Sequence, residues 1–79
     1  MDSPNPNLDI TYKVKGGRGT IQVLVKWDGG SFTDQFDVLN ALSRARFVKR
    51  LVGSHGQIDP VVVTGELDRI AEELAARTM

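Results

Sequence analysis

The chain of 79 residues contains no cysteine, a single histidine and few aromatic residues. Without cysteine it has no disulfide, no thiolate metal site and no thiol nucleophile. No apolar run approaches the roughly 20 residues that a membrane-spanning helix needs. The polar start MDSPNPNLD also lacks the apolar centre of a signal peptide. These absences exclude several classes of site, and we expect a soluble, cytoplasmic protein that contains no cofactor.

Positive and negative charges balance, ten against ten, but they are unevenly distributed along the chain. Residues 37–58 carry four cations against one acid, a net charge of +3, and residues 59–79 carry two against five, a net charge of −3. The balanced total removes a strong whole-molecule attraction to polyanions, whereas the cationic segment leaves a local attraction open. The two segments could equally neutralise each other.

The first part of the chain has the pattern of a β-hairpin. We expect residues 1–8, which contain two prolines, to form a flexible leader and residues 9–79 to form a single domain. Apolar and polar residues alternate in the segments ITYKVK and TIQVLVKW, as they do in strands with one buried face. The glycines of GGRG between them allow the chain to reverse. Lys13, Lys15 and Lys26 fall on the outer face of this hairpin.

A second turn signal, DGG at 28–30, predicts that the chain returns in a short third strand over about 31–36. A third strand is physically useful because a two-stranded ribbon alone is only marginally stable. Asp34 has the same parity as Phe32 and Phe36, so the inward face of this strand would contain an acid. We therefore expect a bend at Asp34, or a position near a sheet edge.

From Asp37 onward the apolar spacing becomes helical. We expect Asp37 to cap the N-terminus of a first helix and Gly53 to end it. The apolar stripe of this helix is predicted to consist of Val38, Ala41, Leu42, Ala45, Val48 and Val52, with Leu51 at its border.

A second helix is predicted to begin at Pro60, with Asp59 as its N-cap, and to run to about residue 77. Its start is ambiguous because VVVT has strand propensity and Gly65 weakens a helix by about 1 kcal/mol relative to alanine. The predicted core face of this helix comprises Val63, Leu67, Ile70 and Leu74, with Ala71 and Ala75. The sequence thus predicts an α+β fold in which two helices cover one face of a three-stranded antiparallel meander, in the order β-β-β-α-α.

No combination of residues points to catalysis or metal binding. His55 lies in a loop between Ser54 and Gly56, and we interpret it as a solvated loop histidine. No His or carboxylate spacing has the form of a metal site, and no serine stands in a nucleophile motif. The segment KGGRGT leads from a strand into a strand, whereas nucleotide-binding loops lead into a helix, so we interpret it as a turn.

The best functional lead is SRARFVKR at 43–50, which holds four of the ten cations around one aromatic ring. At 100° per residue, Arg46 and Arg50 lie opposite the predicted apolar stripe, and Phe47 lies beside Arg50. Lys49 falls on the far flank and Arg44 apart. One interpretation is a solvated helix face, where cations interact favourably with the C-terminal end of the helix dipole. The other is a cationic strip with one aromatic for phosphate contact and base stacking. Phe47 could equally anchor a protein partner or pack under the hairpin.

The run GGSFTDQFDVLNALSRARFVKRLVG, followed by IDP and ELDRIAEELA, resembles a segment near the start of some large bacterial and phage-type primase/helicase-like replication proteins. The likeness covers about two-thirds of the chain. The matching positions are Asp34, Phe36, Asp37, Arg44, Arg46, Phe47, Leu67, Ile70 and Ala71. The resemblance implies an appended module that is separate from the catalytic domains. Catalytic activity is not carried over, because the chain has no glycine–lysine phosphate loop and no polymerase-type acidic constellation.

The sequence therefore favours a non-enzymatic accessory module that contacts nucleic acid or a replication partner and has no membrane role. The expected contact residues are Arg46, Phe47, Arg50 and Lys49, with Lys13, Lys15 and Lys26 as additions. The alternative is a protein-interaction or self-association module, in which the hairpin edge or the faces carrying Leu24 and Leu39 form the contact. Leu24 suggests this alternative because it is an apolar residue on the outward side of its strand.

Overall fold

A computed structural model describes residues 8–17 and 19–77 of the chain. Three strands precede two helices, and the expected α+β fold in the order β-β-β-α-α is confirmed. The elements are β1 (Asp9–Gly16), β2 (Thr20–Trp27), β3 (Gly30–Asp37), α1 (Ala41–Ser54) and α2 (Pro60–Arg77).

The strands form one antiparallel sheet in the order β1-β2-β3, so β1 and β3 are its edges. Period-two alternation gives β2 one buried face, on which Ile21, Val23 and Val25 have no exposed surface. Both helices cover this inner face, because a sheet with one apolar face needs a second layer to bury it. The turn into β3 contains Gly29 at φ +105°, a conformation that disfavours residues with a Cβ.

One residue of the predicted leader belongs to the folded part. Leu8, which we expected to belong to a flexible leader, is half-buried and packs against the core. Its apolar side chain gains more from this contact than from water. The rest of the predicted leader, residues 1–7, lies outside the described residues.

The connection into α1 differs from the prediction that Asp37 caps the helix. Asp37 is the last residue of β3, and its carboxylate accepts a hydrogen bond from the Leu39 N–H at 3.0 Å. Asn40 caps the helix instead, because its side-chain oxygen accepts from the N–H groups of Leu42 and Ser43 at 2.9 and 3.1 Å. Val38, predicted to lie on the helix stripe, is buried in this connection.

The buried face of α1 is not the predicted one. Phe47 and Leu51 have no exposed surface, whereas Leu42 is 67% exposed. The observed buried face is rotated about the helix axis by roughly 90° from the predicted one, which is close to the angle between consecutive residues of an α-helix. The rotation buries the largest apolar side chain of α1 in place of small ones. Of the predicted stripe within α1, Ala41 and Ala45 are also exposed, and Val48 and Val52 are half-buried.

The prediction for α2 is confirmed at both ends. The Asp59 carboxylate accepts from the N–H of Val61 at 2.9 Å, and the helix continues through Gly65 to Arg77. Its buried residues are the predicted Val63, Leu67, Ile70 and Leu74. In the described part of the chain, neither helix combines the length and apolar character that a membrane-crossing segment requires.

Candidate interaction surface

Phe47, predicted to point outward beside Arg50, lies in the core between α1 and β3. Its ring stacks on Phe36 with centroids 4.8 Å apart and tilts against Phe32 at 5.7 Å. Because the ring has no exposed surface, it cannot stack on a base or anchor a partner in this structure. The placement of Phe47 on the outer surface was therefore wrong. The two phenylalanines on the inward face of β3 supply an aromatic contact that helix spacing alone does not reveal.

Arg50 is also turned toward the sheet rather than away from it. Its guanidinium pairs with the Asp34 carboxylate, and the two side chains are 51% and 27% exposed. As expected, Asp34 lies on the inward face of β3, and β3 is an edge strand of the sheet. This ion pair neutralises the charge of the inward-facing Asp34 carboxylate. It also neutralises Arg50, one of the cations assigned to the basic strip.

Arg44 joins the two helices. Its Nη1 donates to the Val38 carbonyl at 2.7 Å, and its Nε lies 3.2 Å from an Asp68 carboxylate oxygen in α2. Among the described residues, this is the one ion pair between the cationic 37–58 segment and the acidic 59–79 segment. The remaining excess charge of the two segments stays on the surface.

Arg46 and Lys49 are the cations of α1 that have no ion pair within residues 8–17 and 19–77. Both are exposed. Leu42, Arg46 and Lys49 follow one another at helical spacings of four and three, so they form one stripe. This stripe lies opposite the buried Phe47 and Leu51 and faces away from the sheet.

The lysines of the hairpin occupy the opposite side of the molecule. Lys13 and Lys26 belong to the outer face of the sheet, since the alternate positions Ile10, Tyr12, Val23 and Val25 face the helices. Lys15 is exposed beside a register shift between Val14 and Gly16. The helix layer, about 10 Å thick, and the sheet both separate these lysines from Arg46 and Lys49. The two groups of cations therefore do not form one basic surface.

A shallow apolar cleft of about 360 Å³ separates the outer sides of α1 and α2. The space is left because α1 turns two small residues, Ala41 and Ala45, toward α2 rather than toward the sheet. The lining consists of Ala41, Arg44, Ala45, Val48, Lys49, Thr64, Leu67 and Asp68.

Two large apolar side chains in the first turns of the helices are exposed, Leu42 of α1 at 67% and Val61 of α2 at 75%. A depression at the start of α2 is lined by Pro60, Val61 and Gly65 and shares Thr64 and Asp68 with the cleft. Val61 therefore adjoins the cleft, and Leu42 is next in the chain to Ala41, which lines it.

The outward side of α2 is acidic. Arg69 is held by Glu66 and Glu73, with guanidinium–carboxylate contacts of 2.7 and 3.2 Å. The hydrogen bonds that Arg69 donates to the Glu66 carboxylate are the main cause of the raised pKa of Arg69, which stays protonated in any case. Glu72 is exposed and has no ion pair in the described part of the chain. We call the surface formed by Leu42, Arg46, Lys49, Val61 and Glu72 the outer helix face.

His55 is not the solvated loop residue that the sequence suggested. It caps α1 and is half-buried, with its ring 4.8 Å from that of Trp27 in an edge-on arrangement. The Phe32 ring is 6.1 Å away. The loop folds back over the end of the sheet because these aromatic rings cover apolar surface there. Among the residues that the structure describes, no three His, Asp or Glu side chains come together as a metal site would require.

The two leucines that suggested an alternative contact are both half-buried. Leu24 lies on the outer face of the sheet between Thr11 and Thr33. Leu39 packs against the core beside Gly19. Neither forms an exposed apolar surface comparable to that of Leu42 and Val61. Sequence spacing did not reveal Leu42 and Val61 as exposed, because it assigned Leu42 to the core stripe of the first helix and Val61 to no surface.

Comparison of the chain with protein-family models, with characterised proteins and with solved structures gave no match.

Proposed function

We propose that this chain is a non-enzymatic protein-interaction module, and that its contact surface is the outer helix face. The sequence also suggested a protein-interaction module, with its contact on the hairpin edge or on the faces carrying Leu24 and Leu39. We propose instead that the contact lies on the two helices. The observation that carries it is the exposure of two large apolar side chains, Leu42 of α1 and Val61 of α2, on helices that also enclose an open apolar cleft.

Covering these side chains would stabilise a complex. Burial of a leucine or valine contributes up to about 1.5–3 kcal/mol, and both residues keep most of their surface in water here. The cleft between α1 and α2 provides room for apolar side chains of a partner. Exposed apolar surface rimmed by charges is typical of protein contact sites.

The charges on α1 indicate what kind of partner fits. Arg46 and Lys49 lie on the same side of α1 as Leu42, and no acid of the described residues pairs with them. A partner with acidic side chains next to an apolar stripe would satisfy both features, and opposite charges across an interface favour association. We therefore propose an amphipathic acidic helix as the partner. The resemblance to replication proteins supports a search for it among replication components.

The nucleic-acid hypothesis receives less support from the same surface. Its aromatic residue, Phe47, is buried, and Arg50 is paired with Asp34. Two unpaired cations are a small footprint, because nucleic-acid affinity rises steeply with the number of phosphates that are neutralised. Leu42 and Val61 would stay exposed in such a complex.

Fluorescence anisotropy with three labelled probes at low ionic strength tests the proposal. The probes are an acidic amphipathic helical peptide, a basic peptide with the same apolar pattern, and a single-stranded oligonucleotide. We expect the acidic peptide to bind, and Leu42→Asp and Lys49→Glu each to weaken it about tenfold, which corresponds to about 1.4 kcal/mol. Lys13→Glu, a charge reversal on the outer face of the sheet, serves as the control and leaves binding unchanged.

Two outcomes contradict the proposal. One is that neither the acidic nor the basic peptide binds. The other is oligonucleotide binding that disappears in Arg46→Ala with Lys49→Ala but is unaffected by Leu42→Asp, because that pattern identifies a polyanion site.

A further inference from the structure

We propose that the partner of the outer helix face is a second copy of this chain, so that the protein forms a two-fold symmetric dimer in which α1 of each copy lies across α2 of the other. This inference rests on the proposed function and names the acidic amphipathic helix as α2.

The charges of the two helices are complementary. The stripe on α1 presents Arg46 and Lys49, and the outward side of α2 presents Glu72; each lacks an ion pair in the part of the chain that the structure describes. Within one copy, α1 and α2 lie side by side, and Arg44 with Asp68 forms their ion pair. The outward-pointing charges therefore remain available to another molecule.

In a two-fold symmetric dimer, α1 of each copy contacts α2 of the other, so the charged and apolar residues of both helices contribute twice. When α1 crosses α2 of the other copy, Leu42 and Val61 are covered together, and the α1 cations approach Glu72 of the second copy. In such an isologous interface each contact is repeated by the symmetry axis. Stacking α1 on α1 would instead bring Arg46 and Lys49 against themselves, and like charges across an interface oppose association.

The size of the surface indicates a weak dimer. The helices have 14 and 18 residues, which corresponds to lengths of about 21 and 27 Å. Two neighbouring helices of this length present an outer surface on the order of 500 Å² per copy. A total of about 1,000 Å² lies at the lower limit of specific interfaces. We therefore expect association that depends on protein concentration.

Sedimentation equilibrium over a wide range of concentration measures this directly. We expect the average mass to rise from 8.7 kDa toward twice that value and to stop there. Leu42→Asp and Val61→Asp should each raise the dissociation constant about tenfold or more. Both positions lie in the first turn of a helix, where an acid is favourable for the helix dipole, so the monomer should stay folded. Thermal unfolding of dilute samples checks this.

Val62→Asp is the matched control. Val62 neighbours Val61 in the first turn of α2 and is 40% exposed, but it lies on the flank of the helix that faces away from α1. We expect its dissociation constant to stay near that of the unmodified chain. An equal loss of association in Val61→Asp and Val62→Asp would overturn the proposed surface.

A mixing experiment separates intermolecular from intramolecular effects. One variant combines Arg46→Glu with Lys49→Glu, and the other is Glu72→Lys. Each variant alone places like charges against each other across the interface, so each should be mainly monomeric. An equimolar mixture places opposite charges at both symmetric contacts, and we expect dimers to return at low ionic strength. If the mixture is no more associated than the separate variants, the proposed pairing of α1 with α2 is wrong.

The outcomes distinguish this inference from the proposed function. A wild-type chain that is monomeric at every concentration but binds the acidic peptide through Leu42 overturns the dimer alone. A chain that neither associates nor binds the peptide overturns both. A mass that continues to rise beyond the dimer overturns the closed two-fold arrangement. The peptide is titrated into chain dilute enough to be monomeric, so that self-association does not compete.

Discussion

Phe47 of α1 stacks on Phe36 of β3, with ring planes inclined by 23° and centroids 4.8 Å apart. This contact joins the first helix to an edge strand of the sheet. It determines the rotation of α1, because turning Phe47 inward turns Leu42, Arg46 and Lys49 toward solvent. The exposed apolar surface and the unpaired cations of the outer helix face are therefore a consequence of one aromatic contact in the core.

Replacing Phe47 tests this core role. We expect Phe47→Ala to lower the free energy of unfolding by about 3–5 kcal/mol, since it removes a fully buried ring and leaves a cavity. Thermal or urea unfolding measures the change. Phe47→Leu fills much of the space and should cost considerably less. A Phe47→Ala chain as stable as the original would mean that the ring lies on the surface.

Gly19 provides a second test because a Cβ at this position would overlap its neighbours. The added atom would lie 2.6 Å from both the Cγ of Leu39 and a carboxylate oxygen of Asp37. We expect Gly19→Ala to destabilise the chain by about 1–3 kcal/mol. Gly16→Ala is the control, since nothing lies within 4 Å of a Cβ there. Equal effects in the two variants in urea unfolding would argue against the close approach.

Asn40 is expected to stabilise α1 through its cap. Asn40→Ala removes the acceptor for the N–H groups of Leu42 and Ser43 and should cost about 1 kcal/mol. Asn40→Asp keeps the acceptor and adds a favourable negative charge at the helix start. Denaturant unfolding should therefore rank Asn40→Asp close to the original chain and Asn40→Ala below it. The reverse ranking would exclude this capping arrangement.

Arg44 makes two contacts whose contributions can be separated. Arg44→Ala removes the hydrogen bond to the Val38 carbonyl as well as the ion pair with Asp68, and we expect it to cost roughly 1–3 kcal/mol. Asp68→Ala removes the ion pair alone and should cost no more than about 1 kcal/mol, because the carboxylate is largely exposed. Unfolding at low and high salt checks the division, since only the ion pair is screened by salt. A larger loss in Asp68→Ala would assign the stabilisation to the charges.

The elements themselves follow from local sequence. Alternation with a period of two identified the strands, and both turns were predicted from their glycines. Asp59 and Pro60 identified the start of α2 despite its β-branched residues, because a capping side chain and a fixed φ act over only a few residues. An antiparallel meander covered by two helices is then the arrangement that buries all the amphipathic faces.

The candidate site depended on tertiary contacts. The sequence gives α1 two candidate apolar faces, one of small residues around Ala45 and one around Phe47, and helical spacing cannot choose between them. Phe32 and Phe36 make the choice, because they present rings on the inward face of the sheet and the ring of Phe47 packs against both. Helical spacing also could not predict which cations of α1 form ion pairs.

By itself the sequence determined the order of the elements, the inward face of the sheet and the core face of α2, because each depends on neighbours a few residues apart. Only the tertiary structure decided which face of α1 meets the sheet and which charges remain unpaired. Asp34 and Arg50 are 16 residues apart, and their ion pair forms because the packing of α1 on β3 brings them together. Contacts at such separations depend on packing that no local pattern encodes.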